Sequence, residues 1–168
     1  MNKLNVFNHD WYSWKYPSNW FKNVKYFFRQ CKWAYQRITQ GYCDYDYWDL
    51  DSHLTHLMAQ SIKDLADNTH GYPGNDEFPT YESWKRYLYK IVYLLNYSLQ
   101  EDMYNPYTEA WEGTWENKSL EDVNKRTPEE EEIVHKFLDY ETENEKKKRA
   151  ALNQALEMIT HVWGHLWD

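Results

Sequence analysis

Residues 43–54 read CDYDYWDLDSHL, so Asp44, Asp46, Asp49 and Asp51 fall within twelve positions beside three rings and His53. Acids at such spacing raise two chemistries: a cation site or a catalytic carboxylate pair. A hard-cation site needs several carboxylates converging at roughly 2.3–2.6 Å from one ion, and a calcium loop also needs a sharp-turn Gly and a closing Glu. This stretch has neither residue. Asp49 or Asp51 suits the cap of a following helix, a role typically worth about 1 kcal/mol. Asp46 can pair with Arg37, four residues before Gly41. The reading adopted is a helix cap beside an aromatic pocket, with no metal site and no catalytic acid cluster.

The remaining reactive residue types are no better arranged for catalysis. His53 and His56 lie three apart, with Asp49 one turn before His53, and His161 and His165 lie four apart, with Asp168 nearby. Zinc needs a third and often a fourth ligand, and no His-Glu-x-x-His core occurs. Both pairs read as polar or half-buried helix histidines. Cys31 falls on an apolar helical stripe and is expected in the core. Cys43 is expected to be more exposed, among aspartates that would raise its pKa. No Gly-x-Ser-x-Gly elbow, P-loop or dinucleotide fingerprint is present. The chain is therefore read as a non-enzyme without a cofactor.

Rings and cations form the more suggestive combination. Tyr42, Tyr45, Tyr47 and Trp48 follow a helix that carries Lys32 and Arg37. A nucleotide pocket uses a ring to stack on the base, at about 1–3 kcal/mol per base. It uses Arg or Lys for phosphate and a carboxylate for ribose hydroxyls. The candidate ligand-binding residues are Lys32, Arg37, Tyr42, Asp46, Trp48, Asp51, His70 and Tyr72. In a chain this rich in rings, the same Tyr/Trp cluster reads equally as core, and His70 equally as support for a helix end.

These residues must be held by helices. From Ser18 or Asn19 as a cap, Trp20, Phe21, Val24, Phe27, Phe28, Cys31, Ala34, Tyr35 and Ile38 keep the three-four spacing of a helix, and Gly41 stops it. Lys22, Lys25, Arg29 and Lys32 make a basic stripe on another face. A second helix starts near Asp49 or Asp51, with Leu50, Leu54, Leu57, Met58, Ile62 and Leu65 as its apolar stripe. It ends before Pro73, with Gly71 suited to a left-handed C-cap. Thr80 caps a third helix with Trp84, Tyr87, Leu88, Ile91, Val92, Leu95 and Leu99 on its apolar face. Residues 101–126 read as an irregular aromatic loop with a short helix around Leu120. Thr127, Pro128 and Glu130 then form a strong helix start. One helix from there to the C-terminus would span about 60 Å, so a break is expected near ETENEKKKR, unless the helix packs against another subunit. Residues 1–17 read as an ordered arm. The expected fold is all-α: a single compact domain, 1–168, of four to five helices with an aromatic-rich core.

Composition bounds the remainder. The 168 residues suffice for one ordinary domain, and 19% are aromatic, including ten Trp and sixteen Tyr. Rings must supply much of the core, and Trp and Tyr left at the surface favour binding patches. Residues 1–42 hold seven Lys/Arg against Asp10 alone, a net of +6, leaving twelve against twenty-six acids, a net of −14, in residues 43–168. The overall −8 disfavours long nucleic acid as a partner, while the basic start can serve an anion site, pack on the acidic remainder or stay solvated. No run of 18 apolar residues and no apolar leader core occurs, so neither a membrane partner nor a signal peptide is expected. Two cysteines fit a reducing cytoplasm.

The order of Arg37, Gly41-Tyr42, Asp46-x-Trp48-x-Leu50-Asp51, Tyr72-Pro73 and Trp84 resembles a widespread family of small uncharacterised bacteriophage proteins, over about residues 35–100. The resemblance implies a phage origin and a role in the cytoplasm of an infected bacterium. By analogy with small accessory phage proteins it implies antagonism of host defence. One expectation is a protein that sequesters a nucleotide immune signal without cleaving it. Another is an inhibitor whose acidic, aromatic surface covers a host defence protein. A virion structural or assembly role is a third, and each leaves room for a homo-oligomer.

Overall fold

The computed structural model describes residues 15–101, 103–116, 118, 119, 122 and 125–167. The expected helix at Leu120, Asp168 beside His165, and all but the last residues of the N-terminal arm lie outside them. The fold is all-α, with five α-helices and no strand among the described residues. They are α1 (Pro17–Gln40), α2 (Leu50–Asn68), α3 (Tyr81–Ser98), α4 (Thr108–Gly113) and α5 (Pro128–His161). Short 3-10 turns occupy Asp46–Asp49 and Trp163–His165. The chain divides into two compact units, Met1–Leu57 and Met58–Asp168.

In the first unit, α1 starts with Pro17 at its first turn, where a missing N–H costs nothing. Tyr16 stands at the N-cap without a side-chain hydrogen bond, so the capping expected of Ser18 or Asn19 is not used. Gly41 ends the helix as expected: its φ of +83° is left-handed, and its N–H donates to the Arg37 carbonyl at 3.0 Å. The helix is where periodicity placed it, but its apolar stripe is not core. Phe21, Phe28, Tyr35 and Ile38 are exposed, and the buried residues are Asn23 and Gln30. Periodicity shows that a stripe exists; it does not show which stripe faces inward. The two cysteines are corrected with it: Cys31 is exposed, and Cys43 is fully buried.

In the second unit, the later turns of α2, the loop residue Phe78, α3 and the C-terminal half of α5 share one core. Trp84, Leu88, Ile91 and Leu95 supply the α3 side, and Ala151, Ala155, Ile159 and Val162 the α5 side. Small residues on α5 let the large α3 side chains fill the space at interior density. Phe78 meets Trp84 edge-on at 5.0 Å and Tyr87 at 4.9 Å, and the Tyr87 hydroxyl donates to the Met158 carbonyl at 3.2 Å. Such rings bring area, and the phenol tip finds a partner. The α2 end differs from expectation. Gly71 is not left-handed; Gly74 is, further along the loop, and Thr69 N–H bonds back to Leu65 at 2.7 Å.

The cap expected of Thr80 and the capping box expected of Thr127 and Glu130 both form, and Ser83 makes the first a box as well. Thr80 accepts from Ser83 N–H at 3.1 Å, and Thr127 accepts from Glu130 N–H at 3.3 Å while the Glu130 carboxylate reaches back to Thr127 N–H. The expected break in the last helix does not occur. α5 runs 34 residues without interruption, about 51 Å. No Gly or Pro falls between Glu129 and Trp163, and Glu143–Lys146 and Glu145–Lys148 pairs, each at 2.7 Å, bridge the segment. The aromatic stretch before it is anchored on α5 through Trp111, stacked on Phe137 at 4.4 Å, and Asn105, which donates to Glu141 at 2.7 Å.

Candidate functional site

Four residues on one side of late α1 fasten the loop after it. Lys32 donates to the Asp44 carboxylate at 2.5 Å, and Gln36 donates to its other oxygen at 2.7 Å while accepting the Asp44 N–H at 3.2 Å. Trp33 packs on Tyr45 with ring centres 5.0 Å apart. Arg37 binds Asp46 through two nitrogens, Nε at 3.2 Å and the terminal NH2 more closely. Asp46 also accepts the Cys43 N–H at 2.7 Å, which is how a carboxylate secures the start of a helical turn. The turn Asp46–Asp49 leads straight into α2. Asp49 thus lies inside that turn, and Asp51 stands exposed on the first turn of α2.

The charges are set by these contacts. Burial pushes the Asp46 pKa up, but the hydrogen bonds from Arg37 and Cys43 and the Arg37 charge outweigh it, leaving about 2. Lys32 and then Gln36 hold Asp44 below its usual range. Burial pushes the Cys43 thiol up, against nucleophilic use. His53 stands with Nδ1 3.9 Å from Asp46, and its Nε2 is buried without a hydrogen-bond partner. Among the described residues no three His, Cys, Asp or Glu are arranged to hold a metal ion.

Beside this fastening lies a groove of about 820 Å³, lined by cations and rings. Lys25, Arg29 and Lys32 stand one turn apart along α1. The Arg29 guanidinium lies over the rings of both Tyr26, at 5.2 Å, and Trp33, at 5.7 Å. Tyr45 and Trp48 close the loop side, and Trp48 is 90% exposed. A groove of this size takes a mononucleotide or larger ligand.

Of the eight residues singled out in the sequence, the groove contains Lys32 and Trp48. Arg37 and Asp46 are committed to each other in the fastening. Tyr42 is half-exposed and packs on Tyr47 at 5.6 Å, outside the groove lining. His70 and Tyr72 lie in the second unit, on the exposed loop after α2. Sequence reasoning saw Lys25 and Arg29 as part of a basic stripe but did not place them in the site, and it passed over Tyr26 and Trp33. Their signal was the basic run 25-29-32, with a ring directly after Lys25 and after Lys32. No family model matches the chain, and comparison with curated proteins and with solved structures finds no similar protein.

Proposed function

We propose that the α1 groove captures a nucleotide-type anion and holds it without cleaving it. In the setting its resemblance implies, the chain is a phage accessory protein that withholds a nucleotide immune signal in the infected host's cytoplasm. The observation that carries this is Arg29, spread over two rings and flanked by Lys25 and Lys32. Cations meet phosphate, and the exposed Trp48 ring offers a face for a base. Retention without turnover is supported by Asp44, the carboxylate among the described lining residues. Held by Lys32 and Gln36 as a weak base, it is poorly placed to activate water.

The test is mass spectrometry of what the protein releases on denaturation, after incubation with cyclic and ADP-ribose-type nucleotides. One nucleotide recovered intact, and lost in Arg29→Ala and Trp48→Ala, supports capture. A cleaved product makes the chain an enzyme and refutes the reading, as does retention of nothing.

A second reading has its own observation: Glu129, Glu131 and Glu132 are exposed at the start of α5, a compact acidic end for a basic protein surface. Charge reversal at those three, sparing Glu130 and its capping box, must weaken co-purification of a host defence protein. An unchanged complex would remove the acidic end from consideration.

A further inference from the structure

The stripe α1 turns to solvent has the period of a coiled coil. Phe21, Val24, Phe28, Cys31, Tyr35 and Ile38 recur at intervals of 3-4-3-4-3, the alternation of a and d positions in a heptad, and all six are exposed. The opposite side carries a second stripe of the same period: Asn19, Asn23, Tyr26, Gln30, Trp33 and Arg37. All six are buried or half-buried, among them Asn23 and Gln30, the buried residues of the helix. So α1 lies on its own unit by a largely polar stripe and presents its apolar seam outward. A seam of 3.5-residue period keeps facing a partner only if that partner is another helix.

We propose that a second copy of this chain covers the seam, with the two α1 helices parallel and in register. The flanking positions argue for this occupant. In a parallel pair each g residue meets the e residue five places on in the partner, which sets Trp20 against Lys25 and Phe27 against Lys32. Each contact places a ring beside an ammonium group. An antiparallel pair centred on the seam would instead set Lys25 against Lys32 twice, like charge on like. Area agrees. Each copy offers Trp20, Phe21, Val24, Phe27, Phe28, Tyr35 and Ile38, each at least half exposed. At about 100 Å² apiece, roughly half of what a ring can bury, two copies cover roughly 1,400 Å², above the ~1,000 Å² of a specific interface. Phe28 lies on both the seam and the groove, so the partner's Phe27, set against Lys32, would close one wall of the groove.

Register gives the experiment a marker. In the parallel pair the two Cys31 side chains share one d layer. Sedimentation equilibrium of the full chain at micromolar concentration is expected to show a dimer. Mild copper-phenanthroline oxidation, which takes two electrons and two protons from the thiols, should then link Cys31 to Cys31, and Cys31→Ser should abolish the link. Phe21→Glu with Ile38→Glu should weaken dimerisation at least a hundredfold, with helicity by circular dichroism unchanged because both side chains are outside the core. A monomeric wild-type chain overturns the proposal, whether Cys31 is then reactive or shielded by the chain itself. A dimer that survives both seam substitutions also overturns it. A dimer that forms no Cys31 disulfide overturns the parallel register.

Discussion

The guanidinium of Arg37 and the carboxylate of Asp46 form a largely buried pair that ties the end of α1 to the turn opening α2. The same Arg37 receives the Gly41 N–H on its backbone carbonyl, so one residue both accepts the hydrogen bond that closes the helix and anchors the turn beyond it. Replacing it by an apolar side chain leaves a buried carboxylate without its cation. Arg37→Met is expected to destabilise this segment by about 1–3 kcal/mol, read as faster amide exchange over residues 41–50. The double variant with Asp46→Asn should recover part of the loss, because the stranded charge goes too. No recovery would mean that the pair is not what holds the turn.

Acid must undo the same pair. The Asp46 pKa is about 2 in the folded chain against an ordinary 3.8, so folding favours the ionised form. Its contribution is complete above pH ~4 and is lost as pH falls through about 2. Amide exchange at Cys43, whose N–H bonds to Asp46, should stay slow at pH 4 and rise towards pH 2, beyond the intrinsic pH dependence of exchange. Loss already complete at pH 3.8 would contradict the pairing.

Trp84 is the largest side chain fully buried in the second unit. Its removal takes away contacts to Phe78 and Tyr87 together. Trp84→Ala should cost about 3–5 kcal/mol, visible as a large fall in the denaturation midpoint. Leu99→Ala, at the C-cap of α3 and outside that core, should cost much less.

The groove predicts a graded response at Arg29. Arg29→Lys keeps a charge but loses the flat face laid on Tyr26 and Trp33, and Arg29→Ala loses both. Nucleotide retention should fall modestly in the first and by tenfold or more in the second, with stability unchanged within about 0.5 kcal/mol, as for other surface substitutions. Equal losses in both would assign the effect to stacking rather than charge.

What could be read from the sequence was what is local. Helix spacing placed α1, α2, α3 and the start of α5, and the Thr80 cap and the Thr127 box were legible because each is settled within four residues. What could not be read was orientation. The stripe through Phe21 and Ile38 has the pattern of a core face, and only tertiary structure shows that Asn23 and Gln30 turn inward instead, exposing Cys31. The site was half legible for the same reason. Lys32 and Trp48 were within reach of chemistry by type and neighbourhood. Arg37 had two eligible tasks, and the structure commits it to Asp46. Lys25 and Arg29 were visible as a stripe, but nothing local indicated that Tyr45 and Trp48 would line the same groove. The uninterrupted α5 was missed because domain size was weighed above the absence of any Gly or Pro.

That uninterrupted helix has a consequence for how the protein is cut. Lys146, Lys147, Lys148 and Arg149 offer four successive trypsin sites in mid-helix. A protease needs extended backbone, which an intact helix does not supply. Cleavage there would report how often the middle of α5 melts, and its rate under limiting trypsin measures the local opening free energy. The run of basic residues is thus a built-in gauge of how firmly the two ends of one long rod hold each other in register.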